Sequence, residues 1–374
     1  MTPRERYRAT LLFKNPDKIP LQPGGPREST LKVWHQQGLP EHCSHVDAYH
    51  DLLGITKEAQ RPQLPLNVSF RMIPTFEEKV LEHKNGHYIV QDWMGAITEI
   101  SDEYDYTYIR SAKDFVTRKW HRFPVQTHAD WDAMKERFDP RDPKRFPKDI
   151  DETYKRLQDR DDVAHIHFNG PFWQMREWLG MENLCILMID DPAWILEMAD
   201  FWTKFVLEIL SSVLEHVTLD SVGISEDMAY KAHSMISPAM ARQFLLPSYT
   251  AWAPQIFVSG CPIIDMDSDG DITELIPLWI EAGINVCDPV EVAAHNDIVA
   301  LRKRFGHKMA YRGGVDKRAI AAGGSTLQAE LDRLSPVVES GGYIPGCDHG
   351  VPPDISWDNF VNYVGGLAEI TGWL

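Results

Sequence analysis

The feature that most constrains the fold of this chain is a regular alternation of short apolar runs and helical stretches after Asp162. The apolar runs are two to six residues long, and each is followed by a helical pattern, which is typical of a parallel sheet covered by helices. The predicted strands are Val163–Phe168, Ser221–Ser225, Pro262–Met266, Ile284–Cys287, Lys308–Tyr311 and Tyr343–Ile344.

The N-terminal part adds to this count. Residues Ile19–Gln22 are predicted to form a short buried strand that ends at Pro23-Gly24-Gly25-Pro26. With one or two N-terminal units, the chain has about eight strand–helix units, and this number at this length predicts a TIM barrel of the α/β class. A doubly wound sheet would need a glycine-rich phosphate loop after its first strand, and Gly24-Gly25 followed by Pro26 does not provide one.

Residues 66–101 have a different pattern. Two β-rich runs, 77–83 and 87–93, flank Lys84-Asn85-Gly86, and Asn-Gly between such runs predicts an antiparallel hairpin. Residues 96–101 are expected to add a third strand. We interpret the segment as an N-terminal excursion from a single barrel domain that covers residues 1–374.

Charge and cysteine usage narrow the functional class. The 38 basic and 55 acidic residues give a formal net charge of −17, which disfavours binding to nucleic acid or to an anionic membrane surface. No run approaches 18 apolar residues, so no membrane span is expected, and the N-terminus lacks the apolar core of a secretion signal. Five widely spaced cysteines argue against a disulfide framework and predict a cytoplasmic, reducing location.

Acidic residues gather at one predicted strand end. If the third strand after Asp162 extends to Asp269, the side chains of Asp265, Asp267 and Asp269 share one face, because alternate residues of a strand point the same way. Carboxylates that are close together repel each other and raise one another's pKa. The pattern therefore favours a metal ion or a cationic substrate at this position.

The last predicted strand ends in Gly346-Cys347-Asp348-His349-Gly350, which adds a thiol and an imidazole. Thiolate, imidazole and carboxylate groups are all zinc ligands. A packed cysteine and a hydrogen-bonded loop histidine are the alternative interpretation. Other polar residues at predicted strand ends, which could also simply cap the following helices, are Asn169, Glu226, Asp227 and Arg312.

Several motifs, in order along the chain, resemble the uroporphyrinogen decarboxylase superfamily. The likeness covers nearly the whole chain and implies a TIM barrel. The motifs that carry it are Phe123-Pro124-Val125, residues 179–183, residues 226–231, Ile236-Ser237-Pro238, Pro247-Ser248-Tyr249, residues 267–271, residues 313–319 and residues 341–349.

The resemblance implies one of two chemistries. True uroporphyrinogen decarboxylases remove acetate carboxyls from a tetrapyrrole without a cofactor, and the arginines of their N-terminal motif Met-Arg-Gln-Ala-Gly-Arg-Tyr hold the substrate carboxylates. The matching region here is Gln22–Glu28, in which at most Arg27 is kept. A substrate with many carboxylates needs more cations than this acidic chain offers there, so decarboxylation in the haem pathway is disfavoured.

The second chemistry is methyl transfer to or from a corrinoid protein. Such relatives hold zinc with a His-x-Cys pair at one strand end and a cysteine at the last. The pair aligns here with Asp267 and Asp269, the last ligand aligns with Cys347, and His349 could supply a nitrogen. The resemblance therefore implies a zinc ion that acts as a Lewis acid on a methoxylated or N-methylated substrate.

The leading hypothesis is thus a methyltransferase, or O-demethylase component, that passes a methyl group from a small molecule to a corrinoid protein. Glu226 and Asp227 would orient the substrate or act as general acid. The residues expected to contact the substrate are Arg27, Asn169, Tyr230 and Arg312. The alternatives are a cofactor-free decarboxylase of a small or porphyrinogen-like acid, with Asp267 or Asp269 as proton donor, and a non-catalytic binding barrel.

Overall fold

The structure is a computed structural model that describes residues 1–59, 63–107 and 116–374. Its residues form two compact units. The larger unit consists of Met1–Leu66, Asp151–Phe168 and Leu214–Leu374, and the smaller unit consists of Asn67–Ile150 and Asn169–Val213. The prediction of one domain over residues 1–374 stays a prediction.

A parallel sheet of the larger unit follows the predicted order of strands. Within the described residues it has seven strands, in the spatial order β1, β6, β7, β8, β9, β10 and β11. The pairs β1–β6, β7–β8, β8–β9, β9–β10 and β10–β11 are parallel. The bounds are β1 (Gln63–Pro65), β6 (Val163–Asn169), β7 (Ser221–Ser225), β8 (Ile264–Asp267), β9 (Val286–Asp288), β10 (Ala310–Val315) and β11 (Tyr343–Cys347).

The predicted strand at Ile19–Gln22 is not assigned as a strand, but its segment runs beside β11. Leu21 N–H donates to the carbonyl of Ala59 at 2.9 Å, and Cys347 N–H donates to the carbonyl of Pro23 at 3.2 Å. The extended segment thus bonds to β11 on one side and to the residues just before β1 on the other. It occupies the eighth position that the alternation predicts.

Helices follow the strands of the larger unit as expected. The first helix begins with a capping box in which Thr2 and Glu5 bond to each other's backbone N–H groups. The helices that lie mainly in this unit are α1 (Pro3–Leu11), α2 (Glu28–Gln36), α3 (His45–Leu53), α5 (Ile150–Gln158), α9 (Pro238–Phe244), α10 (Leu246–Val258), α11 (Ile276–Ala282), α12 (Ile298–Phe305), α13 (Lys317–Ala322), α14 (Gly324–Glu339) and α15 (Trp357–Thr371).

The smaller unit contains the predicted hairpin. Strands β2 (Lys79–Lys84) and β3 (His87–Gln91) pair in antiparallel fashion around Asn85 and Gly86, whose φ angles of 51° and 75° fit a two-residue hairpin turn. The predicted third strand is β4 (Ile97–Ser101). The remaining elements are β5 (Arg118–Arg122), α4 (His128–Lys135), α6 (Pro171–Leu179), α7 (Met181–Asp190) and α8 (Pro192–Leu214).

Strand β5 was not among the predicted elements. Four of its five residues are Lys, Arg or His, and most of them are exposed, so no apolar alternation marks the run. The strand forms because its backbone pairs with β4, for example at Thr98 and Trp120. Across the described residues, no helix combines the length and apolar character that crossing a membrane would require.

Candidate active site

Two neighbouring cavities are lined by residues of the parallel sheet. The polar cavity has a volume of about 290 Å³ and is lined by His165, His167, Ser221, Gly223, Asp265, Asp267, Asp288 and Arg312. The larger cavity, of about 520 Å³, is lined mainly by residues 21–25, His45, Val46, Tyr49, residues 288–289, residues 312–313, Ile344, Gly346 and Cys347. Asp288 and Arg312 line both cavities, so the two adjoin at this ion pair.

The sheet register brings the lining of the polar cavity together. Residues that pair across parallel strands carry their side chains on the same face, and Ser225 pairs with Asp267, which in turn pairs with Asp288. One step deeper along the strands, Gly223 pairs with Asp265. The alternate residues between them, such as Ile224, are buried on the opposite face.

A guanidinium held between two carboxylates forms one wall of the polar cavity. Arg312 Nη1 donates to Asp265 Oδ2, and Nη2 lies 3.2 Å from Asp288 Oδ2. Burial lowers the pKa of Arg312, but Asp288 and Asp265 together raise it well above its ordinary value. Arg312 is therefore a permanent cation whose charge is already balanced inside the site.

A hydroxyl group links the opposite wall. The Ser225 hydroxyl donates to Asp267 Oδ2 at 2.7 Å, and His167 Nε2 lies 2.7 Å from the same Ser225 oxygen. Burial raises the pKa of Asp267, and the charge of Asp269 raises it further. The hydrogen bond from Ser225 and the charge of His167 lower it, but by less. A carboxyl group in this setting can hold a proton and deliver it into the cavity.

Asp269 and His349 are in contact, but Asp269 does not reach His349 by continuing the alternation of strand β8, as the strand pattern predicted. Strand β8 ends at Asp267, so the alternation does not continue to Asp269, which does not line the polar cavity. The structure instead places Asp269 Oδ2 3.1 Å from His349 Nε2. Gly350 N–H donates to His349 Nδ1, so Nε2 carries the proton that His349 donates to Asp269.

The four predicted zinc ligands do not form one donor set. Asp267 lines the polar cavity, Cys347 lines the larger cavity, and Asp269 bonds to His349. Burial raises the pKa of the Cys347 thiol to about 12, so the thiol is protonated at neutral pH when no cation is bound. Within the described residues, no group of three or more His, Cys, Asp or Glu side chains has a geometry suited to a metal ion. Zinc binding stays a prediction, and no chemical step below is derived through a metal.

The remaining predicted acids lie outside both cavity linings. The Glu226 side chain is fully buried and accepts a hydrogen bond from the Tyr249 hydroxyl, whose pKa is raised by burial and by Glu226. Asp227 follows it with a φ angle of 42°, a strained conformation for a residue other than glycine. Such strain at a strand end is common near functional sites, and the geometry fits a supporting role for these two residues.

The predicted substrate contacts are dispersed. Arg312 lines both cavities, whereas Tyr230 is 51% exposed and contributes to neither lining. Arg27 lies near Gly350, the residue that follows His349. A Cβ added to Gly350 would be 3.8 Å from Arg27 Nε. Asn169 ends β6, and its amide donates to Gln174 within the smaller unit.

Sequence reasoning missed His165, His167 and Ser225. The signal was present in the patterns His-Ile-His on β6 and Ser-Val-Gly-Ile-Ser on β7, where polar or small residues alternate with apolar ones. A parallel barrel strand is ordinarily apolar on both faces, so a polar period of two predicts a hydrophilic barrel interior.

The fold and the polar cavity lined by its strands are those of the α/β barrel class, and comparison with known proteins gives the family. Residues 121–365 match the family model described as uroporphyrinogen decarboxylase (URO-D). This match covers more than half of the chain, which therefore belongs to the URO-D family, a family of enzymes.

Individual relatives are distant. A uroporphyrinogen decarboxylase from Tolumonas auensis is 30% identical over 79 residues, which are 21% of this chain and only 22% of that protein. A solved methyltransferase from Methanosarcina mazei is 16% identical, with a TM-score of 0.59 and 99% of both chains covered. A solved B12-independent methionine synthase from Shewanella sp. W3-18-1 has 11% identity and a TM-score of 0.43, with 95% and 97% covered. The Methanosarcina likeness confirms the predicted TIM-barrel class of fold.

Proposed function

We propose that this protein is a methyltransferase of the URO-D family that removes a methyl group from a small methoxylated or N-methylated compound. The acceptor would be a corrinoid carried by a partner protein, as the sequence resemblance implies. The second candidate is a cofactor-free decarboxylase of a small carboxylic acid. Both reactions need a small-molecule cavity and a proton donor. Their substrates differ in charge, so the charge of the cavity indicates which of the two reactions it favours.

The observation that carries the proposal is the excess of carboxylates in the polar cavity. Three carboxyl groups, one guanidinium and two imidazoles line the cavity, and Arg312 is already bonded to two of the three carboxyl groups. A carboxylate substrate would bring a further negative charge beside Asp265 and Asp288, and the guanidinium of Arg312 is already bonded to both of them. A neutral methoxy compound or a methylated amine meets no such repulsion.

Asp267 is the best placed proton donor in the described cavity lining. When a methyl group leaves a methoxy compound, the C–O bond breaks with its electron pair on oxygen, and this oxygen then takes a proton. Asp267 can supply that proton, because burial favours its protonated form and Ser225 fixes its orientation. Glu226 is less suited to the role because its carboxyl group is fully buried against Tyr249.

Methyl transfer can be measured with free cob(I)alamin as acceptor, by following the formation of methylcobalamin by absorbance. The donors would be a panel of methoxylated aromatic compounds and methylated amines, and a parallel panel of small carboxylic acids would be assayed for release of CO₂. For methoxylated donors we expect Asp267→Asn to lower the rate by about 10²–10⁴-fold, the usual contribution of a general acid.

The matched control is Glu281→Gln, which removes the same charge from an exposed pair with Arg242 and should keep the wild-type rate. Release of CO₂ without methyl transfer would move the decarboxylase to first place. Full methyl transfer by Asp267→Asn would refute the role of Asp267 while leaving the reaction class intact.

A further inference from the structure

Two hydrogen bonds in series lead from Asp267 to His167, an imidazole to which the proposed reaction gives no role. The Ser225 hydroxyl oxygen lies 2.7 Å from Asp267 Oδ2 on one side and 2.7 Å from His167 Nε2 on the other. Ser225 is only 7% exposed, whereas His167 is exposed and lines the polar cavity. The two bonds therefore join the proton donor of the proposed reaction to a side chain that solvent can reach.

The direction of the two bonds follows from the atoms that make them. An ionised carboxylate only accepts hydrogen bonds, so Asp267 takes the single hydroxyl proton of Ser225. The Ser225 oxygen can then only accept from the ring, so His167 Nε2 must carry a proton. The ring nitrogen and the hydroxyl oxygen thus each hold a proton that can move one step toward Asp267.

Strand β7 fixes the position of the His167 ring. A Cβ on Gly223 would lie 2.4 Å from His167 Nδ1, so the ring packs against the strand at a residue that has no side chain. Gly223 and Ser225 are two residues apart on β7 and therefore share one face of the strand. One ring nitrogen lies against Gly223 while the other bonds to Ser225.

His167 is better suited than the nearby guanidinium to exchange protons with solvent. The titratable groups that line the cavity with His167 are His165, Asp265, Asp267, Asp288 and Arg312. Arg312 keeps its protons, because two of these carboxylates raise its pKa well above its ordinary value. Histidine is the side chain whose ordinary pKa lies nearest to neutral pH, and of the two imidazoles in the lining it is His167 that bonds to Ser225.

We propose that His167 returns a proton to Asp267 through Ser225 after each turnover. The Nε2 proton of a protonated His167 moves to the Ser225 oxygen while the hydroxyl proton of Ser225 moves to Asp267 Oδ2. One N–H and one O–H bond break and two O–H bonds form, so the imidazolium becomes a neutral imidazole and the carboxylate becomes a carboxylic acid. His167 then regains a proton from solvent. This inference rests on the proposed function only in taking Asp267 as the proton donor, a role that the decarboxylase alternative also offers.

The direction of the bonds can be tested without a substrate by NMR of protein labelled with 15N at histidine. At about pH 9, where an ordinary imidazole is neutral and an ordinary carboxyl group is ionised, we expect His167 to carry its proton on Nε2. The ring resonances are assigned by their loss in His167→Ala. A proton on Nδ1 instead would overturn the proposal, because Nε2 would then have no proton to pass to Ser225.

The transfer itself is tested by chemical rescue of whichever of the two candidate reactions the wild type performs. His167→Ala and Ser225→Ala should each lower the rate by about tenfold or more. Added imidazole should restore much of the rate of His167→Ala, because it can occupy the space of the lost ring. It should not restore Ser225→Ala, in which the path to Asp267 is interrupted.

Pyrazole separates proton transfer from mere support of Ser225. It has the size of imidazole and also donates an N–H, but it is not protonated at neutral pH, so it should not restore the rate of His167→Ala. The matched control is His87→Ala, which removes an exposed imidazole from β3 and should keep the wild-type rate with or without imidazole.

The outcomes separate this inference from the proposed function. Full activity of His167→Ala, or equal rescue by imidazole and pyrazole, would overturn the relay while methyl transfer by the wild type keeps the proposed function. If the wild type transfers no methyl group, the proposed function fails. The NMR result, and the rescue of CO₂ release where that reaction occurs, then still decide the relay.

Discussion

Asp220 is the residue whose loss should most clearly weaken the strands that carry the polar cavity. Its carboxylate has no exposed surface and directly precedes β7. Oδ1 accepts from Arg4 Nε at 2.8 Å and from Arg8 Nη1 at 3.4 Å, and Oδ2 accepts from Arg160 Nη2 at 2.9 Å and from Ala164 N–H at 3.0 Å. This one side chain therefore joins α1, the start of β6 and the start of β7.

The substitution Asp220→Asn keeps the shape but removes the charge and turns one acceptor into a donor that faces a cation. Breaking a buried ion pair by changing one partner costs about 3–5 kcal/mol, because the remaining charge stays buried and unbalanced. At about 2.1 cal/mol/K per residue, the 374 residues have an unfolding entropy of about 0.8 kcal/mol/K. The expected loss thus corresponds to a fall of about 4–6 °C in the unfolding midpoint.

Differential scanning calorimetry measures this midpoint, with Glu281→Gln as the control. Glu281 pairs with Arg242 on the surface, where both side chains are about half exposed, and its loss should leave the midpoint within experimental error. A fall of less than about 1 °C in Asp220→Asn would refute the reasoning, since it would mean that solvent or a rearranged side chain replaces the lost charge.

Three further outcomes are expected around the cavities. A Cβ on Gly223 would lie 2.4 Å from His167 Nδ1, so Gly223→Ala should displace the His167 ring, and the ring resonances in NMR spectra of histidine-labelled protein should shift. Burial raises the pKa of Asp267 in the folded state, so folding favours the protonated carboxyl group. The stability of the wild type should therefore fall relative to Asp267→Asn as the pH rises from the ordinary pKa of a carboxyl group through the raised pKa. Thermal midpoints of both proteins at a series of pH values measure this difference. Because Cys347 and Asp267 line different cavities, Cys347→Ser should keep the zinc content of the wild type in elemental analysis; a loss of zinc would mean that the two residues meet around a metal.

The barrel could be predicted because its signal repeats along the chain. Strand β7 has the predicted bounds, Ser221–Ser225, and it pairs in parallel with β8 as expected. Strands β8 and β9 begin two residues later than predicted, at Ile264 and Val286. Strand ends depend on where each backbone meets its neighbour, and the apolar pattern of a single segment does not contain that information.

The site was harder to predict because its contacts join distant segments. Asp267 and Arg312 were among the candidates because they are charged residues at strand ends, and both line the polar cavity. Glu226 satisfied the same criterion, yet its side chain is buried against Tyr249, a partner on α10 that only the folded chain brings near. The direction in which a strand-end side chain points is thus decided by the partners available to it in the fold.

The register of the parallel sheet explains why the polar residues act together. Ser225, Asp267 and Asp288 are successive Cα partners on β7, β8 and β9, so their side chains form one level of the barrel interior. A slip of one residue in any of these strands would turn its polar side chains to the apolar outer face, which is costly, so the register is strongly fixed. The backbone and the outer apolar face thereby hold this level in place, and substitutions within it, such as Asp267→Asn, should change binding and chemistry while the barrel stays folded.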